Sequence, residues 1–260
     1  MDRDVPRSIN RRRALTLFAG LALCPLCAPR SFAEPSHWGY EGAEGPTKWG
    51  DLDAANRACS LGTQQSPINI GDNTIKAQLA PLKITWAKSA DTIVNNGHTI
   101  QLNMGDNSTL SVGAGGNYRL VQFHFHRPSE HTINGAALPM EVHFVHRNDA
   151  GAAAVVGVLM TTGKPNKSFT TMVLTMPNRP GDPVKADPKI DPNAFLPAKR
   201  SYYRYEGSLT TPPCGETVDW LLLTDPIQVA EADITSFARL YPMNARPVQK
   251  LDRRFVLRSP

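Results

Sequence analysis

The chain has 260 residues, with 28 Lys and Arg against 23 Asp and Glu, 22 Pro, 19 Gly, 4 Cys and a formal net charge of +5. A hydrophobic share of 41% is that of an ordinary globular protein and excludes disorder, collagen and disulfide-dense miniature scaffolds. The basic balance invites a nucleic-acid reading, but six Arg against Asp2 and Asp4 place +4 of it in residues 1–33, and no basic stripe for phosphates remains in the body.

The first element reads as an export leader. A basic stretch ends at Arg13, and no charge follows until Arg30, a gap of 16 residues. A membrane span needs roughly 20 residues, and Ser31-Phe32-Ala33 is a small-x-small end, so residues 1–33 are expected to be a signal peptide cleaved after Ala33. The Arg triplet before Ala14 and Leu15 fits either a twin-arginine signal or an ordinary basic one. Residues 34–260 then form a periplasmic or secreted domain with no later membrane span. Cys24 and Cys27 fall in the leader. Cys59 and Cys214 remain as an even pair, either a disulfide suited to an oxidising compartment or two buried thiols.

Beyond the leader, turn residues recur at short intervals, as in Asn95-Asn96-Gly97, Gly105-Asp106-Asn107, Asn134-Gly135 and Asn148-Asp149-Ala150-Gly151. Strand-like runs occupy 93–102, 118–126, 140–146, 153–160 and 217–223. Helical periodicity is confined to 166–175 and 231–240, the latter ending before Pro242. The stretch 177–197, rich in Pro, Asp and Lys, predicts an ordered surface loop. No repeat or linker divides the chain, so residues 34–260 read as one mostly β domain.

The chemistry concentrates in Gln122-Phe123-His124-Phe125-His126. Strand side chains alternate, so Gln122, His124 and His126 share one face and the two Phe share the other. In Glu141-Val142-His143-Phe144-Val145-His146, the residues Glu141, His143 and Val145 share a face, and His146 points away. The two runs sit one connection apart and are expected to be neighbouring antiparallel strands, on which His124, His126 and His143 converge. Three neutral imidazoles without Cys or carboxylate suit zinc with an open fourth position. Gln122 and Glu141 lie on the ligand faces as acceptors for the imidazole N–H groups. His131 and His146 read as structural or supporting groups. Periodicity describes a metal site and leaves its reaction open.

Seven motifs in register supply a resemblance. His37-Trp38-Gly39-Tyr40, Gln65-Ser66-Pro67-Ile68-Asn69-Ile70, Asn95-Asn96-Gly97-His98, the His124/His126 segment, Ser129-Glu130-His131-Thr132, Glu141-Val142-His143 and Gly207-Ser208-Leu209-Thr210-Thr211-Pro212-Pro213 together resemble the α-class carbonic anhydrases, from His37 to about Arg254. The resemblance implies a large twisted, mainly antiparallel sheet of about ten strands with short peripheral helices. It implies one zinc on His124, His126 and His143, oriented by Gln122, Glu141 and the Asn244 carbonyl, whose hydroxide converts carbon dioxide to bicarbonate. Thr210 matches a gatekeeper that donates to Glu130. Val145, Val155, Leu209, Val218 and Trp220 match the hydrophobic wall for carbon dioxide. His98 matches a proton shuttle, and Tyr40, Asn96, Gln101 and Thr211 match the side that orders its water. Tyr205, His131 and Glu141 match a hydrogen-bonded group behind the ligands. The short Arg127-Pro128-Ser129 link is similar to bacterial members, Gln101 stands where some relatives carry Asn, and a monomer or homodimer is expected.

Two other readings compete. His124-x-His126-x-x-x-Glu130 fits a cupin's first motif, with Glu130 as a ligand to iron or manganese, but the second cupin motif is missing ahead of His143. A zinc carrier without catalysis would have no use for a gatekeeper or a shuttle.

Overall fold

Bulky apolar residues alternating with polar ones between turn clusters cannot bury their apolar stripe as lone strands; they must pair. The computed structural model describes residues 37–72, 74–113 and 116–260. The expected leader with its cleavage site, Cys24 and Cys27 lie outside the described residues. Sixteen strands occur among the described residues: β1 (Asn69–Ile70), β2 (Ile75–Lys76), β3 (Leu82–Thr85), β4 (Thr92–Asn95), β5 (Ile100–Asn103), β6 (Thr109–Val112), β7 (Asn117–His126), β8 (Thr132–Ile133), β9 (Ala136–Ala137), β10 (Met140–Arg147), β11 (Ala153–Thr162), β12 (Val184–Lys185), β13 (Tyr202–Gly207), β14 (Val218–Leu223), β15 (Ile227–Val229) and β16 (Leu257–Arg258). The α-helices are α1 (Trp49–Leu52), α2 (Ala58–Leu61), α3 (Lys167–Thr175) and α4 (Glu231–Ala238), and no described helix is long and apolar enough to cross a membrane.

Thirteen strands join in one sheet whose main path runs β12-β4-β5-β7-β10-β11-β14-β13-β16-β2, while β1, β8 and β9 form a separate small sheet. Most pairings are antiparallel; β11–β14, β11–β15 and β16–β2 are parallel, as is β1–β8 in the small sheet. The sheet exceeds the expected ten strands because β3, β6 and β15 pair off the main path. One face of β7 and β10 carries Phe123, Phe125 and Phe144 into the main core, with Phe169 of α3 and Phe237 of α4. Burial of each such ring contributes about 1.5–3 kcal/mol. α3 starts where Asn166 Oδ1 accepts from the Ser168 and Phe169 N–H groups, a cap of about 1 kcal/mol.

Three local expectations change. The run 93–102 is a hairpin, β4 turning into β5, because Asn96 Oδ1 accepts the His98 and Thr99 N–H groups and closes the turn. The stretch 177–197 is not wholly a surface loop: β12 pairs with β4, and Ile190 and Phe195 are fully buried in the main core. The second helix ends at Ala238, short of Leu240.

Candidate metal centre

Sheet register builds the site row by row. His124 stands opposite His143 across the β7–β10 pair, His126 stands opposite Glu141, and Gln122 opposes Val145. On the other side of β7, Gln101 opposes His124. A bulge between Val145 and His146 slips the register, so that His146 opposes Leu120. His146 is buried with its ring 5.6 Å from Trp86 and Nδ1 3.2 Å from the Ala154 carbonyl. Burial pushes its pKa down to about 3. It is a neutral core histidine, facing away from His143.

His124, His126 and His143 each offer a ring nitrogen, all within 4.8 Å of one another. The far nitrogen of each ring already has an acceptor. His124 Nδ1 lies 2.8 Å from Gln122 Oε1, His126 Nδ1 lies 2.8 Å from the Asn244 carbonyl, and His143 Nε2 lies 2.9 Å from Glu141 Oε1. Those acceptors take the N–H, which leaves a lone pair on each inward nitrogen. His126 Nε2 is fully buried without a hydrogen-bond partner. Such an orphaned acceptor, beside the inward ring nitrogens of His124 and His143, fits a cation. Burial lowers all three imidazole pKa values, His126 to about 4, so the rings are neutral.

Glu141 holds the layer behind the three histidines. Oε2 accepts from the Glu130 and His131 N–H groups at 2.9 Å each, and Oε1 also meets His131 Nδ1 at 2.7 Å. Burial raises its pKa, but His131 and His143 outweigh that and hold it well below the usual carboxylate range. His131 Nε2 lies 2.6 Å from Tyr205 Oη, which donates to Ser66 Oγ at 3.0 Å. Hydrogen bonding accounts for the second close group, His131, Glu141 and His143. Gly157, opposite His143 on β11, was not singled out in the sequence: a Cβ there would stand 3.1 Å from Glu141 Oε1 and 2.9 Å from Leu222. Its lack of a side chain leaves Glu141 its place.

Glu130 is 1% exposed. Oε1 accepts the Arg246 N–H at 2.8 Å, and Oε2, without a hydrogen-bond partner, lies 3.5 Å from His126 Nε2 and 3.8 Å from His143 Nδ1. Burial pushes its pKa up to about 7, against the pull of His143 and of the neighbouring Thr210 hydroxyl. Thr210 is buried. The turn that carries it closes through Leu209 N–H to the Gly215 carbonyl and Cys214 N–H to the Thr211 carbonyl. Val145, Val155, Val218 and Trp220 share one cluster with Leu209 at its edge. Val155 stands between Val145 and Trp220 in the sheet, and the Trp220 ring lies 4.8 Å from His143.

On the polar side, His98 stacks on Trp38 at 3.6 Å between ring centres and lies 6.2 Å from His37. Burial and the nearby His37 lower its pKa. Asn96 Nδ2 reaches Gln101 Oε1 at 3.4 Å, and Tyr40 packs edge-on against Trp38 and Trp49. Cys59 and Cys214 form a disulfide, buried against Trp49, which removes the free-thiol alternative. Arg246 and Asn244 meet Glu130 and His126 from more than a hundred residues away, and no local pattern marks Arg246 in the sequence.

Residues 44–260 match the family model described as eukaryotic-type carbonic anhydrase. The carbonic anhydrase of Neisseria gonorrhoeae is 39% identical over 253 residues, covering 97% of this chain and 98% of that protein. That of Klebsiella pneumoniae is 41% identical over 224 residues, 85% of this chain and 91% of its own length. Among solved structures, the α-carbonic anhydrase of Thermovibrio ammonificans, in complex with the inhibitor sulfanilamide, superposes with a TM-score of 0.83 at 42% identity, covering 86% of this chain and all of that one.

Proposed function

The chain belongs to the eukaryotic-type (α-class) carbonic anhydrase family, an enzyme family of reversible carbon dioxide hydration, and we propose that it acts through one zinc ion on His124, His126 and His143, with His98 exporting the proton. The observation that carries the reading is the convergence of three neutral imidazole nitrogens whose far nitrogens are all engaged. A zinc ion held by these three neutral imidazoles would keep its full charge and would supply Lewis acidity that brings the pKa of water down to about 7, the value established for carbonic anhydrases themselves.

The chain's own residues do the rest. Gln122, Glu141 and the Asn244 carbonyl hold the three rings in one tautomer and orientation. Thr210 donates its hydroxyl proton to Glu130, so its lone pair can only accept; this orients the attacking oxygen and favours a protonated group opposite Thr210. Val145, Val155, Leu209, Val218 and Trp220 offer carbon dioxide a dry wall with no competing hydrogen bonds. His98 receives the proton through water ordered by Tyr40, Asn96, Gln101 and Thr211, and releases it to buffer. An imidazole exchanges protons near neutrality with little driving force lost either way.

The same reading places the chain outside the cytoplasm, with residues 34–260 as the exported enzyme; the Cys59–Cys214 disulfide suits an oxidising compartment. A stopped-flow carbon dioxide hydration assay tests the reading. Activity is expected to vanish with a zinc chelator and to return with added zinc; full activity in protein stripped of zinc would overturn it.

A further inference from the structure

Arg246 is a buried cation, 2% exposed, and takes no part in the steps above. No helix or strand fixes residues 243–248, yet this segment touches two groups of the site. Asn244 accepts from His126 through its carbonyl, and Arg246 donates its backbone N–H to Glu130 Oε1 at 2.8 Å. At Asn244 the segment is tied by its N–H to the Arg127 carbonyl and by its side-chain amide to Arg127, His98 and Phe125; two residues on, at Arg246, the side chain ties it down. The Arg246 guanidinium is anchored away from the site: Nη1 donates to Gln65 Oε1 and to the Ser66 carbonyl, both at 2.8 Å, and Nη2 donates to the Cys59 carbonyl at 2.9 Å. It also lies 5.6 Å from the centre of the Trp49 ring. Gln65 is held in turn, its amide donating to the Cys214 carbonyl at 3.1 Å and to Glu216 at 2.8 Å.

A glutamate carboxyl turns easily about its last torsion, and its two oxygens are chemically equivalent. A fixed N–H on one oxygen breaks that equivalence. We propose that Arg246 is a positioning residue for the gatekeeper: its anchored guanidinium keeps its own N–H on Glu130 Oε1, which leaves Oε2 as the oxygen that receives the Thr210 hydroxyl. Oε2 has no hydrogen-bond partner among the described residues. The inference rests on the Thr210–Glu130 reading and adds the device that orients Glu130.

A double-mutant cycle on the zinc-loaded protein tests it. Arg246→Met keeps side-chain bulk and removes the donors; with one zinc retained per chain, kcat/KM for hydration is expected to fall about tenfold, since misplacing a catalytic contact by ~1 Å can cost about 10²-fold. In a Thr210→Ala background the same change is expected to cost less than about twofold, because the contact it serves is already gone. Equal losses in both backgrounds would show general structural support and overturn the proposal, as would an unchanged kcat/KM in Arg246→Met. If Arg246→Met does not fold, Gln65→Met enters the same cycle, with a loss of about threefold expected only where Thr210 is present; no loss, or the same loss in both backgrounds, overturns the proposal. Thr210→Ala at parental activity would instead remove the gatekeeper reading itself.

Discussion

Removing the Cys59–Cys214 bridge is expected to destabilise the protein by an amount that the structure allows to be worked out. The bridge joins α2 to the far side of the turn that carries Thr210 and Thr211, and its cysteines are 155 residues apart. Closing a loop of that length removes chain entropy worth about 5 kcal/mol in the unfolded state, an upper value because unfolded chains keep residual structure. In a body of this size each kcal/mol moves Tm by about 2–4 °C, so Cys59→Ala/Cys214→Ala is expected to melt roughly 10–20 °C lower. There is also a local effect. Cys214 sits at φ 56°, a left-handed conformation that residues with a Cβ rarely adopt. Its N–H closes the turn on Thr211 at 2.9 Å, and its carbonyl accepts from Gln65. Freed of the bridge, that turn should relax, and kcat/KM should fall even well below the melting transition. Calorimetry of the parent and the double variant, with hydration kinetics at low temperature, measures both effects. A Tm within about 3 °C of the parent would refute the entropy argument, and unchanged kcat/KM would refute the bracing argument.

Two further outcomes separate the roles of the site residues. His143→Ala should lose most of its zinc by metal analysis and nearly all hydration activity, whereas Glu130→Gln should retain one zinc per chain and lose activity; a Glu130→Gln protein without metal would make Glu130 a ligand. His98→Ala should lower kcat by at least about tenfold in weak buffer, a lower bound set beneath general acid–base effects of roughly 10²–10⁴. Its kcat/KM should change little, and added imidazole should restore turnover; unchanged kcat in weak buffer would leave His98 a turn residue.

The two Phe of β7 and the histidines between them show what was legible without a structure. A strand with period two must send Phe123 and Phe125 one way and Gln122, His124 and His126 the other, so one buried face determines the contents of the other. The same logic placed His143 and Glu141 together on β10 and turned His146 away. The hairpin over 93–102 was half visible, since its Asn-Asn-Gly turn stood inside the strand-like run. The burial of Ile190 and Phe195 was hidden, because a Pro-rich stretch has no period to reveal an inward-facing side chain. Arg246 was hidden more deeply, and Asn244 was reached only through the family resemblance. They meet His126 and Glu130 across 118 and 116 residues, through backbone groups that every residue carries. Local sequence determined which three histidines share a face and the strands that present them, because strand alternation acts between near neighbours. Which ring nitrogen faces the centre, which Glu130 oxygen stays free and what holds the turn that carries Thr210 were decided only when distant irregular segments packed, since hydrogen bonds to main-chain atoms leave no residue type to read.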